Sequence, residues 1–424
     1  MDLIKKYSQL TRNQMNNPQK AFKWIKMGAG LQYFRWKNFP DKSIPPSMRY
    51  LNEVMFKYFY EPFKYPEKAA YVNLFAPTEI LHAFDIYPMF VESVATFLSG
   101  LYLEDYLIEA AENKGFSETL CSYHKTFLGA IESEIMPIPQ FSLASSIICD
   151  ANTKTFSHVN DKLGIPGYII DIPSVKDKNS LKYVRGQLEE MITMVERVTG
   201  KKFEIDKLRK IIEIENNTKS YMKKQLEISA KKSFVNHVTL EMSKLMLTHS
   251  AMGRRETLEF YKRLVKDMET YIQKDRLRIF WIHVMPYFDR TLRDYFNYND
   301  KYYLIGMELN FHDLKPLDTR DPLSSLAEKM IDNIYNGDYS KRVDRNMEFI
   351  DILKPDGIIN FMQWGCKQTI GGAQLVKDRI SKTGIPYLAL DGDGGDRRNN
   401  PKGQIKTRFE AFMEIVEKRK ENKI

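Results

Sequence analysis

From Thr78 onward the chain alternates short apolar runs with helical stretches, and this alternation limits its fold more than any other property. "IYPMFV", "FSLASS" and "GYIIDIP" read as strands, while "TEILHAF" and "YLEDYLIEAAENKG" read as helices, the second stopped by Gly115. The pattern resumes with "RIFWIHV", "YYLIGMEL", "GIINFMQ" and "PYLALDGD" as strands and "LVKDRISKTG" and "TRFEAFMEIVEKRK" as helices. Strands separated by helices imply parallel sheets with crossovers. Between the blocks, residues 181–275 are highly charged and helical in period, as in "KYVRGQLEEMITMVERVTG". The expected fold is α/β: two doubly wound Rossmann-like domains joined by a helical segment. The expected boundaries are an N-terminal helical segment over 1–65, broken by "FPDKSIPPSMRY", a first α/β domain over 66–180, the connector over 181–275 and a second α/β domain over 276–424.

A length of 424 residues exceeds what one hydrophobic core serves, and 43% hydrophobic with 28% charged residues is ordinary for a soluble protein. The net charge is +9, but Lys and Arg are dispersed rather than gathered into a stripe with interleaved aromatics. That points away from nucleic acid and toward anionic small molecules, such as nucleotide-containing thioesters, or an acidic partner. No run is apolar enough for a membrane helix, and "MDLIKKYSQLTRNQ" lacks a signal-peptide core. The expected location is the cytoplasm, with no membrane partner.

Three cysteines, an odd number, fit a reducing compartment rather than a disulfide scaffold. Cys366 lies just past the strand "GIINFMQ", Cys149 after "FSLASSII", and Cys121 between "GFSETL" and "SYHKTFLGA". All three fall at strand or helix ends, where open α/β sheets bind ligands. Each is as readily a small buried hydrophobe. Their spacing matches no compact zinc or ferredoxin motif.

"LCSYHKTFLGA", "SSIICDANTKTF", "GIPGYIIDIP", "QWGCK" and "GIPYLALDGDGGDRRNNPKGQIKTRFEAFMEI" resemble the subunits of the 2-hydroxyacyl-CoA dehydratase family, which includes benzoyl-CoA reductase subunits. The resemblance runs from about Pro77 to the C-terminus. It implies two α/β domains with a [4Fe-4S] cluster between them, held by Cys121, Cys149 and Cys366. Three ligands leave one iron open as a Lewis acid for a substrate oxygen. It further implies a ketyl-radical elimination of water from a (R)-2-hydroxyacyl-CoA. The partners implied are an acyl-CoA substrate, a homologous second subunit and an ATP-dependent iron–sulfur activator that delivers one electron. An aryl-CoA reductase subunit and a non-catalytic iron–sulfur electron carrier are the alternatives.

Glu92, in "YPMFVES", aligns with an acidic residue near the cluster of α-type subunits. It either assists the departing hydroxide, if burial raises its pKa, or simply begins the helix "SVATFLSG". Where those subunits carry a small hydroxyl residue, this chain has Leu74, beside Asn73. Beside Cys366, Lys367 offers a donor to a cluster sulfide or to CoA phosphates, or is solvated. His124 offers a proton shuttle or a structural ring. Asp391, Asp393, Asp396 and Arg397 read as a loop fixing the C-terminal domain, since the calcium-loop pattern is absent. The aromatics before residue 65 suit a subunit interface.

Overall fold

A computed structural model describes residues 3–400 and 402–422. The runs Ala69–Val72 (β1), Tyr87–Phe90 (β2), Phe141–Ser145 (β3) and Gly167–Ile170 (β4) form one parallel sheet in the order β2-β1-β3-β4. Leu277–Ile282 (β5), Tyr302–Met307 (β6), Gly357–Gln363 (β7) and Tyr387–Gly392 (β8) form a second in the order β6-β5-β7-β8. The two sheets thus repeat one topology. In each, the chain leaves the first strand toward one edge and returns to its other side, creating a switch point between β1 and β3 and between β5 and β7.

The strands read as near-continuous apolar runs because helices cover both faces. Every residue of β1, β3 and β7 is buried. Sequence reading missed β1: "AAYV" is only four residues long, and two of them are alanines without β preference. The other seven strands lie where the apolar runs place them.

Helices Leu3–Arg12, Pro18–Asn38 and Pro46–Lys64 precede β1; Pro46 starts the third, because proline's fixed φ suits a first helical turn. Lys178–Thr199, Ile205–Lys231, Val238–Ser250 and Arg255–Thr270 lie between the sheets in sequence. The first of these opens with a reciprocal Asp177–Ser180 capping box and closes on Gly200 at φ 69°. Arg255–Thr270 packs on both Ile205–Lys231 and Pro46–Lys64, and Val238–Ser250 packs on Pro46–Lys64. One hydrophobic cluster runs from Val72 and Leu143 through Leu208 and Met242 to Ile279, Trp281 and Ile359, so both sheets share a core. A buried ionic group reinforces it. Lys329 Nζ reaches Glu79 at 2.5 Å and Glu215 at 2.8 Å, and Lys219 reaches Asp313 at 2.8 Å. No helix among the described residues is long and apolar enough to cross a membrane.

Candidate functional site

The carboxyl ends of both sheets open on one cavity of about 1360 Å³. After β1 comes Leu74, after β2 Glu92, after β3 Cys149, after β5 His283, after β6 Leu309 and after β7 Cys366, and all six line it. Cys121 lines it too. Strands β3 and β7 occupy equivalent places in the two sheet orders, so Cys149 and Cys366 hold equivalent positions beside the two switch points.

Each cysteine directly precedes a helix: Ser122–Glu132, Asp150–Leu163 and the short turn Lys367–Ile370. Burial pushes the Cys121 thiol well above its ordinary range, and the nearby Cys366, Asp393 and Cys149 push the same way, against the Tyr123 N–H. Burial likewise raises Cys149 to about 11, with Cys366 and Glu92 adding to it and the N–H groups of Ala151 and Asn152 opposing. Cys121 is raised by both other cysteines and Cys149 by Cys366, so the three sulfurs stand close together, and Cys121 and Cys149 lose their protons readily only to a cationic centre. Gly365 makes the approach possible. At φ 74°, a side chain there would put its Cβ 2.8 Å from the Cys121 nitrogen. Among the described residues, no three His, Cys, Asp or Glu side chains converge to hold a single metal ion.

Glu92 sits in the first turn of Val91–Gly100. Its Oε2 is buried without a hydrogen-bond partner. Burial raises its carboxyl to about 8, and the backbone N–H groups of Glu92 itself and Leu74 offset only part of that. At neutral pH it is therefore a protonated acid facing the cavity. Leu74 is held beside it by Asn73, whose amide donates to Ser145 O at 3.1 Å and accepts from Ser145 N at 3.0 Å. That pair of bonds across the β1–β3 switch point fixes where Leu74 projects.

His124 is buried, with Nδ1 2.9 Å from Thr155 Oγ1 and Nε2 4.0 Å from Cys149 Sγ. Burial lowers its pKa to about 4, so it is neutral and placed beside the sulfur rather than poised to carry charge. Lys367 and Trp364 are exposed and do not line the cavity.

The aspartate loop reaches further than the sequence suggests. Asp393 is fully buried and accepts from Ser122 Oγ at 2.5 Å, Gln363 Nε2 at 2.9 Å and Gly395 N at 2.8 Å. Ser122 adjoins Cys121, so this carboxylate ties the first thiol to the second sheet. Arg397 crosses as well, donating to Ser99 O at 2.6 Å and pairing with Glu104. Asp396 pairs locally with Arg398 at 2.9 Å and Asp391 with Arg408 at 2.6 Å. The loop fixes the joint between the two sheets rather than the C-terminal part alone.

Sequence reading missed His283. It ends the β5 run at φ 73°, is 5% exposed, and its Nδ1 has no partner. A polar residue closing an apolar strand was the available signal. Its N–H donates to Glu308 Oε2 at 3.2 Å. Glu308 takes two bonds from Arg342, at 2.8 and 2.7 Å, and Arg342 also donates to Gln368 O at 3.0 Å, in the turn that follows Cys366.

Residues 73–416 match the family described as 2-hydroxyglutaryl-CoA dehydratase, D-component. The chain belongs to that family. Among similar proteins, the (R)-2-hydroxyisocaproyl-CoA dehydratase alpha subunit of Clostridioides difficile is 26% identical over 81% of this chain and 89% of its own. The (R)-phenyllactyl-CoA dehydratase alpha subunit of Clostridium sporogenes is 24% identical over 84% and 91%. A benzoyl-CoA reductase subunit of Thauera aromatica is 23% identical over 74% and 80%. The dehydratases among these relatives are hydro-lyases, so the D-component family is one of enzymes. Its matched region contains all the cavity residues that follow the strands of both sheets.

Proposed function

We propose that this chain is the α-type subunit of a 2-hydroxyacyl-CoA dehydratase, which converts a (R)-2-hydroxyacyl-CoA to the 2-enoyl-CoA and water, and that Cys121, Cys149 and Cys366 hold a [4Fe-4S] cluster. The observation that carries the reading is a buried, protonated carboxyl, Glu92, facing the same cavity as three mutually close thiols from both sheets. The donor set fits an iron–sulfur cluster, which takes soft thiolates on different irons, better than a single ion, for which no three ligands converge among the described residues. When bound, the cluster supplies an open iron for a substrate oxygen and exchanges single electrons.

The chain's own residues supply the rest. Removing hydroxide from the α carbon is assisted by a proton, and Glu92 carries one at neutral pH. Leu74 and the apolar wall around it keep water away from that proton. Exposed Arg35 and Arg293 at the mouth suit the phosphates of CoA. For the homologous partner subunit, the helix Pro18–Asn38 offers Met27, Leu31 and Phe34, exposed by 44%, 54% and 57% at helical spacing on one face. An ATP-dependent activator would deliver the starting electron, and the elimination would pass through the ketyl radical of the thioester. The cytoplasm is the compartment that suits reduced thiols.

The test is electron stoichiometry in oxygen-free assays. The expected result is about four iron and four sulfide per chain, with many enoyl-CoA products formed per ATP once turnover has begun. Consumption of ATP and reductant with every product would favour the aryl-CoA reductase reading. Zinc, or no metal after reconstitution, would remove the cluster assignment.

A further inference from the structure

We propose that the acyl group accepted by this chain is apolar, a branched aliphatic or aromatic chain, and that the inner wall of the cavity excludes acyl groups ending in a second carboxylate. The inference rests on the acyl-CoA dehydratase reading and narrows its substrate class.

Burial divides the cavity wall in two. At the mouth, Leu3, Ile4 and Leu31 are 80%, 45% and 54% exposed, with Arg35 and Arg293 also exposed in the lining. Inside, Leu74, Phe90, Met242, Leu245, Met246 and Leu309 are each less than a tenth exposed. Four of these six come from two elements: the loop after β1, which carries Leu74, and the helix Val238–Ser250, which turns Met242, Leu245 and Met246 toward the cavity.

A carboxylate moved from water into such a wall is strongly disfavoured unless a cation or several donors receive it. Among the described residues the inner wall offers no unpaired cation, and its free donors are isolated neutral groups, such as the Tyr123 hydroxyl, rather than several gathered at one point. Burial keeps His237 and His283 neutral. The guanidinium of Arg397 is already paired with Glu104 and lies 4.2 Å from the Tyr102 ring centre and 4.4 Å from that of Phe288. Ser243 Oγ donates back to Thr239 O at 2.9 Å within its own helix. An apolar side chain meets none of these penalties, and Leu74, Phe90 and the methionines can pack against it.

The experiment is titration calorimetry of the full chain with two thioesters that lack the 2-hydroxyl and so cannot be dehydrated: 4-methylpentanoyl-CoA and glutaryl-CoA. They share the CoA and differ in the terminal carboxylate. The expected result is binding of the first at least about 50-fold tighter, in the range that a mismatched polar group produces. Met246→Arg, which puts a cation into the wall, is expected to cut that preference at least tenfold by improving glutaryl-CoA binding, while Met246→Leu keeps it. If Met246→Arg fails to fold, the wild-type ratio and Met246→Leu still decide. Glutaryl-CoA binding as tightly as 4-methylpentanoyl-CoA overturns the apolar assignment and leaves the acyl-CoA site standing. Failure of both thioesters to bind overturns the acyl-CoA reading together with it.

Discussion

Strand β3 leads into Cys149 and strand β7 into Cys366, at the same place in sheets of the same order, yet the loops around them are built differently. Around Cys366, the charged groups are tied down: Glu308 gathers Arg342, the Asn346 amide and the His283 backbone N–H, and Arg342 continues to Gln368 O. On the first sheet, the carboxyl of Glu92 is left with an unpartnered oxygen in a buried setting. One sheet uses its buried ion pair to hold a loop still. The other keeps a proton where burial makes it available. On the function proposed above, the second sheet would position and the first sheet would supply the acid, a division expected where function and stability compete for the same residues.

The largest expected effect tests the equivalence of the two cysteine positions. Cys149→Ser and Cys366→Ser should each lose the bound iron and all dehydration activity, because each removes one of only three protein anchors. Cys121→Ser should behave alike, with the far-ultraviolet circular dichroism of all three unchanged. Full iron and activity in the Cys149 variant alone would break the equivalence and reduce that residue to packing.

Next in size is the acid. Glu92→Gln should lower kcat by about 10²- to 10⁴-fold, the range for a lost proton donor. Wild-type activity should hold below pH 8 and fall above it, as Glu92 loses its proton at about 8, and this limb should vanish in the variant. The stability effect has the opposite sign. The folded carboxyl titrates above its unfolded value, near 4.3, so its contribution to stability is lost as pH rises between the two. The variant should therefore gain in thermal midpoint relative to wild type from about pH 5 to pH 8. A variant that is both active and less stable would make Glu92 a structural residue.

Arg342→Met probes the positioning side. It strips Glu308 of both guanidinium bonds in a site where Arg342 is fully buried. Breaking a buried pair by removing one partner costs about 3–5 kcal/mol, measurable by denaturant unfolding. Arg342→Met with Glu308→Leu should recover part of that loss. No recovery would mean that Arg342 acts through Gln368 and the Cys366 turn more than through its ion pair.

How much of this was legible in the sequence follows from the range of each interaction. The long apolar runs gave their strands because burial on both faces leaves little else possible, whereas "AAYV" was too short and too rich in alanine to stand out. The cysteines and Glu92 were found because they sit at element ends in recognisable motifs, and folding brings them to one cavity. His283, the Asp393–Ser122 bond and the Arg342–Glu308 pair were not legible. Their partners lie far apart along the chain, and no local period or spacing records which strand end will face which.

The smallest expected effect separates two lysine and arginine positions that sequence treats alike. Lys367 follows Cys366 directly and looks well placed for CoA phosphates, but its side chain is exposed and outside the cavity lining. Arg293 is remote in sequence, on the short helix Arg290–Phe296, yet it lines the mouth. Arg293→Ala should raise KM for the acyl-CoA about five- to tenfold with kcat unchanged, as loss of one exposed charge-assisted contact of roughly 1 kcal/mol would. Its effect should shrink as salt is raised, because the contact is open to solvent. Lys367→Ala should change neither constant by more than about twofold, and stability by no more than about 0.5 kcal/mol. If the two results came out reversed, the thioester would enter along the Cys366 turn of the second sheet, and the division of labour between the sheets would have to be redrawn.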